Sequence, residues 1–371
     1  MNIRRSFLAL AAMILGVGFL GASAAQANHI SAPAFGTKSE TFGGVTCKTW
    51  FMNEPTHSYP ADDTHYWVCG MTTANASRIN RIPMTVRRIG TFLTSRPTFI
   101  KDHNVKYYFF RNRAEATAFA NGKFGILAGA LNNTTARCGV TAKLAVSGDI
   151  YSFIYDTCSY VPTPPLTAQN PDLNKVTAHE TGHAFDFAVG KDNGNPGPSQ
   201  TAGFRALANG DISVLTPANW STMTATQKQS YVCGVFGSLL PSDLEKDLAV
   251  PSNQVCQGGN LQAPYVGKTP TEIARIRAPY FVLGGSATGT SPAFSDLFVE
   301  LFSIQAGYPN SNNLLNMTDT LLKANMANPS SNNRQFNCTR QVLKFWVTQH
   351  RPPTPAELTA VACPSNPGPL Q

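Results

Sequence analysis

The stretch Asn170-Pro171-Asp172-Leu173-Asn174-Lys175-Val176-Thr177-Ala178-His179-Glu180-Thr181-Gly182-His183-Ala184-Phe185-Asp186 carries a metal-binding motif inside a helix signal. Asn170 is a capping residue, Pro171 suits the first helical position, and Asp172 complements the positive end of the helix dipole. The run continues from Leu173 to Val189 and meets a stop at Gly190-Lys191, which predicts a helix. His179 and His183 stand at i and i+4, so both project from one face, a single turn apart. Their ring nitrogens can meet one divalent ion at about 2.0–2.1 Å. Glu180 lies one residue along, beside such an ion rather than on it. That is the place for a base acting on water.

A catalytic zinc takes about three protein ligands and leaves a position for water. The third ligand must come from elsewhere, and downstream candidates include Asp186, Asp192, Asp211, Glu272, His350 and Glu357. Acids such as Asp243, Glu245 and Asp247 sit in polar surroundings that read as a solvated helix. Phe294-Ser295-Asp296-Leu297-Phe298-Val299-Glu300-Leu301-Phe302-Ser303-Ile304 differs, because Asp296 and Glu300 are i and i+4 on an otherwise strongly apolar helix. Two buried carboxylates without partners are costly, and a metal and a histidine N–H would supply partners. Asp296 is therefore expected as the third ligand and Glu300 as the acceptor that orients a ligand histidine. An exchange of the two roles stays open, as does a helix edge on which both acids face solvent.

His179-Glu180-Thr181-Gly182-His183-Ala184-Phe185-Asp186 resembles the HExGHAxD segment of the anthrax lethal factor-like branch of zinc metallopeptidases. In that branch a later helix carries an E-x-F-A-E-like segment whose first acid is the third zinc ligand. Asp296-Leu297-Phe298-Val299-Glu300 is similar to it position by position, with Asp in place of the first Glu and a reach shorter by one methylene. The resemblance spans about 130 residues and implies an α+β, zincin-like two-lobed fold: a small sheet-bearing upper lobe, an active-site helix and a helical lower lobe. It implies one Zn²⁺ on His179, His183 and Asp296 (or Glu300), with a zinc-bound water activated by Glu180 to hydrolyse a peptide bond of a peptide or protein substrate. Family members use a tyrosine near the third ligand as a further donor to the oxyanion. Tyr280 is the candidate, with Tyr308 after Asp296, and a core aromatic within Pro279-Tyr280-Phe281-Val282 is the competing reading.

The N-terminus explains where such an enzyme would work. Arg4 and Arg5 precede an apolar stretch from Phe7 to about Leu20, and Ala25-Gln26-Ala27 is a small-x-small cleavage site. Residues 1–27 thus read as a secretory signal peptide, and Arg4-Arg5-Ser6-Phe7-Leu8 also resembles a twin-arginine export signal. A secreted or periplasmic product is expected. The eight cysteines all follow the leader and fall as four neighbouring pairs, Cys47–Cys69, Cys138–Cys158, Cys233–Cys256 and Cys338–Cys363. An even count in an exported chain predicts these disulfides, and no CxxC suggests a cysteine metal site. After the leader, no apolar run reaches about 18 uninterrupted residues, so no membrane span is expected.

The chain has 371 residues, 42% of them hydrophobic, which suffices for a sizeable core, and only 13% charged, about half the usual share. Residues 28–80 read as a disulfide-stapled strand region, with aromatic runs at Cys47–Met52 and His65–Cys69. His57 and His65 flank Asp62 and Asp63, where scattered loop polarity is the expectation over a second metal site. Residues 81–165 read as the upper, sheet-bearing lobe, with strands at Val105–Phe110, Phe124–Leu127, Ala142–Val146 and Ile150–Tyr155 and a short helix at Ala114–Phe119. Residues 166–371 form the zinc-binding helical lobe. Net charge is +8, or +6 once Arg4 and Arg5 leave with the leader. Residues 78–113 alone carry nine Lys/Arg and one acid, Asp102, and read as alternating solvent-facing bases on strands. Those bases, among them Arg78, Arg81, Arg87, Arg88 and Arg96, offer weak contact with an anionic surface. The alternative function is thus an exported polyanion- or envelope-binding protein on a catalytically inactive zincin-like fold. No specific nucleic-acid motif accompanies the bases.

Overall fold

A computed structural model of the chain describes residues 34–51, 65–93, 98–125, 131, 138–159, 168–169, 172–194, 197–237, 253–278, 294–308 and 337–371. The leader and Tyr280 therefore lie outside the described residues, as do His57, Asp62, Asp63, Arg96, Asp243, Glu245 and Asp247.

Strands β1 (Ala34–Phe42), β2 (Val45–Phe51) and β3 (Tyr66–Cys69) open the chain. A short helix α1 (Ala76–Ile79) leads into α2 (Arg81–Phe92), and α3 (Phe99–Asp102) precedes β4 (Lys106–Asn112) and α4 (Arg113–Phe124). Then come β5 (Gly139–Lys143), β6 (Ile150–Ser159), β7 (Ala168–Gln169) and the long α5 (Leu173–Asp192). Helices α6 (Ala202–Ser213) and α7 (Ala225–Phe236), a two-strand ribbon at Cys256–Gln257 and Asn260–Leu261, and α8 (Pro270–Arg277) follow. The described chain closes with α9 (Ser295–Gln305), α10 (Asn337–Gln349) and α11 (Pro355–Ala360). This is an α+β architecture.

The main sheet runs in the order β1-β2-β3-β4-β6-β5, with β7 paired to the end of β6. β3, β4 and β6 are parallel neighbours, and β5 returns antiparallel along β6. β4 lies at the centre, and its Tyr107-Tyr108-Phe109-Phe110 run is buried throughout. That is expected of a strand covered on both faces. Alternation sends Tyr107 and Phe109 toward the core around α5, while Tyr108 and Phe110 face Phe119 of α4.

α5 is enclosed on nearly every side, by α9, α2, β5 and β6. A helix buried over most of its surface must satisfy the polar residues it turns inward. Thr181 donates to the Thr177 carbonyl and accepts from the Tyr107 hydroxyl. Phe185 meets Phe99 edge-on and stacks on Phe302 of α9. At Gly182 the helix packs tightly against α9. A Cβ there would lie 2.9 Å from Val299 Cβ and 3.1 Å from Val299 Cα.

Several local expectations are corrected. Asp172, not Asn170, caps α5, its side chain accepting from Asn174 N–H, and the helix runs past Gly190 to Asp192. Glycine in a helix flanked by packing costs little enough to be crossed. Phe124 closes α4 instead of opening a strand. The bases at 81–88 sit on a helix: Ile82, Val86, Ile89 and Leu93 recur at helical spacing and are buried. Three of the four expected disulfides are present: Cys47–Cys69, Cys233–Cys256 and Cys338–Cys363. The first staples directly opposed residues of β2 and β3. The side chain of Cys158, and with it the fourth pairing, lies outside the described residues. No described helix is long and apolar enough to cross a membrane.

Gly182→Ala tests the helix contact. Alanine favours a helix by about 1 kcal/mol, but overpacking costs about 1–3 kcal/mol. The atoms it would strike are the Cβ and backbone of Val299, so the clash prevails. A lower urea midpoint at unchanged denaturant slope is expected, and an unmoved or raised midpoint would refute the close packing.

Candidate metal centre

His179 and His183 stand one turn apart on α5, their rings 4.9 Å between centroids and 79° between planes. α9 delivers Asp296 to both: its Oδ1 lies 3.7 Å from His179 Nε2 and 3.5 Å from His183 Nε2. His179, His183 and Asp296 are the one group of three or more potential ligands, among the described residues, whose donor atoms all lie within 4.8 Å of one another. Behind the ligand atoms, α9 also supports the rings. Glu300 Oε2 reaches 3.7 Å from His179 Nδ1, and Ser295 Oγ lies 3.1 Å from His183 Nδ1. Residues 295, 296 and 300 of one helix thus address both imidazoles. Their carboxylates are largely enclosed, Asp296 13% and Glu300 4% exposed by side chain, so the solvent-facing helix edge does not hold.

The other candidate acids are engaged elsewhere. Asp186 accepts from the backbone N–H and hydroxyl of Ser199. Asp192 meets His103 and His350, and Asp211 caps the start of α10 through Thr339. Glu272 and Glu357 cap their own helices. Tyr308 lies under the Arg88 guanidinium, 5.1 Å from its ring centre. His65 is buried against the Val105 carbonyl at 2.8 Å, a structural contact. In the basic stretch, Arg78 pairs with Asp156 and Arg111 with Glu115, which removes part of its surplus charge.

Glu180 is 4% exposed and turns toward β5. Its Oε2 accepts from Thr141 Oγ1 at 2.6 Å, and Thr141 Oγ1 lies 2.8 Å from Ser152 Oγ. Sequence reasoning did not find Gly139, Thr141, Ser152 or Ser295. Ser295 could have been noted as a hydroxyl beside a ligand acid. The other three carry no local mark, because strand pairing and helix docking alone bring them to α5.

Electrostatics follow from enclosure and opposite charge. Burial works against a proton on His179, yet the carboxylates of Asp296 and Glu300 outweigh it and push its pKa up to about 10. For Asp296, burial favours the neutral acid, while His179 and His183 pull its pKa well below the usual carboxylate range. At neutral pH the metal-free site therefore holds an ionised Asp296 and a protonated His179.

A cation must displace the His179 proton. Its affinity is expected to weaken as pH falls below that value, about tenfold per unit for one proton. Calorimetric titration in buffers of different ionisation enthalpy should show about one proton released per ion at pH 7. No release would contradict the charge state described. No protein-family model matches the chain, and neither does any curated protein or solved structure, so the centre stands on its own geometry.

Proposed function

We propose that the chain is an exported zinc-dependent endopeptidase of zincin-like plan. One observation carries the reading. The separations of 3.5 and 3.7 Å between Asp296 Oδ1 and the two Nε2 atoms exceed ordinary hydrogen bonds. They suit the edges of a tetrahedron around an ion bound at about 2.0–2.1 Å, whose ligand atoms stand about 3.3 Å apart. Two imidazoles and one carboxylate are a donor set found in catalytic zinc sites, with the fourth position left open. An ion held there supplies Lewis acidity, making water a stronger acid and polarising a substrate carbonyl.

The residues of the chain would do the rest. Asp296 and the two histidines bind the ion, and Glu300 and Ser295 fix the ring orientations behind it. Glu180, one residue on from His179, takes the proton of the attacking water and returns it to the departing amine. The sheet, α5 and α9 would correspond to the upper lobe, active-site helix and lower lobe of the zincin plan. Among the described residues no strand pairs with the outer edge of β5, which passes Glu180. Its backbone groups suit an extended peptide added as a further strand. Disulfides fit an oxidising compartment outside the cytoplasm.

Purified protein should contain about one zinc per chain and cleave unfolded casein, with loss of cleavage on chelation and recovery on adding zinc. Glu180→Gln should keep the metal and lose at least about a hundredfold in rate. Asp296→Ala should lose the metal. Full activity in Glu180→Gln, or a wild type that binds no metal, would end the reading.

A further inference from the structure

We infer that Gly139 and Thr141 of β5, backed by Ser152 of β6, form a slot that positions the Glu180 carboxylate. The inference rests on the peptidase reading above and adds residues that lie outside the metal motif.

Gly139 and Thr141 are alternate residues of one strand, so they share the face turned to α5. A Cβ at position 139 would fall 2.6 Å from Glu180 Oε1, 2.8 Å from Cγ and 2.9 Å from Cδ. Three atoms of the base therefore occupy the volume that any other residue would fill. No left-handed backbone calls for glycine at position 139, whose φ is not positive. Its backbone is that of a paired strand, in register with Ile154. Glycine weakens a strand interior, and its place here answers to a close approach by another group.

Thr141 supplies the opposite wall. Its hydroxyl lies 2.6 Å from Glu180 Oε2 and 3.2 Å from the Glu180 carbonyl. The shorter contact takes the single hydroxyl proton. Ser152, fully buried, lies 2.8 Å from Thr141 Oγ1 and can donate to it. The donor chain Ser152 to Thr141 to Glu180 then has a fixed direction. Oε2 is held by Thr141 and Oε1 is seated against Gly139, so the strand fixes both carboxylate oxygens. A base that accepts a proton in one step and delivers it in the next gains from an anchored torsion, because no side-chain search separates the two. Thr141 is thus a positioning residue for Glu180, and Gly139 keeps its volume clear.

The test compares wild type, Thr141→Val, Thr141→Ser and Gly139→Ala as zinc-loaded full chains, with fluorescein-labelled casein as probe. Thr141→Val keeps the shape and removes the hydroxyl. It should lower kcat by about ten- to a hundredfold, with KM and zinc content unmoved. Thr141→Ser should recover most of that loss, and Gly139→Ala should lower kcat without loss of zinc. A wild-type kcat in Thr141→Val, equal impairment in the valine and serine variants, or loss of zinc from Thr141→Val would each overturn the slot. If the zinc-loaded wild type cleaves nothing, the peptidase reading fails on its own. The slot is then decided by a cycle of Thr141→Val with Glu180→Gln in the metal-free protein. Non-additive shifts of the unfolding midpoint support it, and additive shifts overturn it.

Discussion

The approach of α9 to α5 at Gly182 governs the candidate site and the polar groups packed around it. Nothing larger than glycine fits against Val299 at that crossing. The carboxylates at 296 and 300 flank this contact along α9, so their reach to the imidazoles depends on how near the two axes come. Aspartate at 296 makes the dependence tighter, because its side chain is one methylene shorter than glutamate. Phe185 and Phe302 stack beside the same crossing and give it an apolar anchor. The candidate metal centre is therefore a product of helix packing as much as of donor chemistry.

Enclosing α5 on nearly every side has a thermodynamic consequence. Each of His179, Glu180, Thr181 and Asp186 is buried, and each would be costly without a partner. The structure answers them with partners from four different elements: α9 for His179, β5 for Glu180, β4 for Thr181 and the loop at Ser199 for Asp186. One helix carries the polar groups while its neighbours carry the matching donors and acceptors. That division locks the polar side chains of the helix in place through their own partners.

Legibility from sequence followed the range of the interaction. His179 and His183 declare themselves by helical spacing alone, and the pairing of Cys47 with Cys69 follows from an even count of cysteines that fall as neighbouring pairs along the chain. The acids of α9 were readable because carboxylates at i and i+4 in an apolar helix demand an explanation. The wall formed by Gly139 and Thr141 was not readable, since a glycine two residues before a threonine in an edge strand means nothing until a helix docks on it. The helix at Arg81–Phe92 was misread for another reason. Its arginines drew attention to charge, while the period of Ile82, Val86, Ile89 and Leu93 carried the structural signal. Pro83, in its first turn, is compatible with a helix start.

The described disulfides close loops of similar span, with sequence separations of 22, 23 and 25. None ties α5 to α9, although these helices hold the two halves of the centre. For a chain emerging N-terminus first, each covalent clasp can therefore snap shut soon after its own segment appears, independent of later sequence. The His179–His183–Asp296 cluster has no such early option, because its carboxylate arrives more than a hundred residues after its imidazoles. Cys47–Cys69 and Cys233–Cys256 lie wholly before Asp296 and can close before the cluster is complete, whereas Cys338–Cys363 follows it, so covalent closure of the chain brackets the assembly of the cluster.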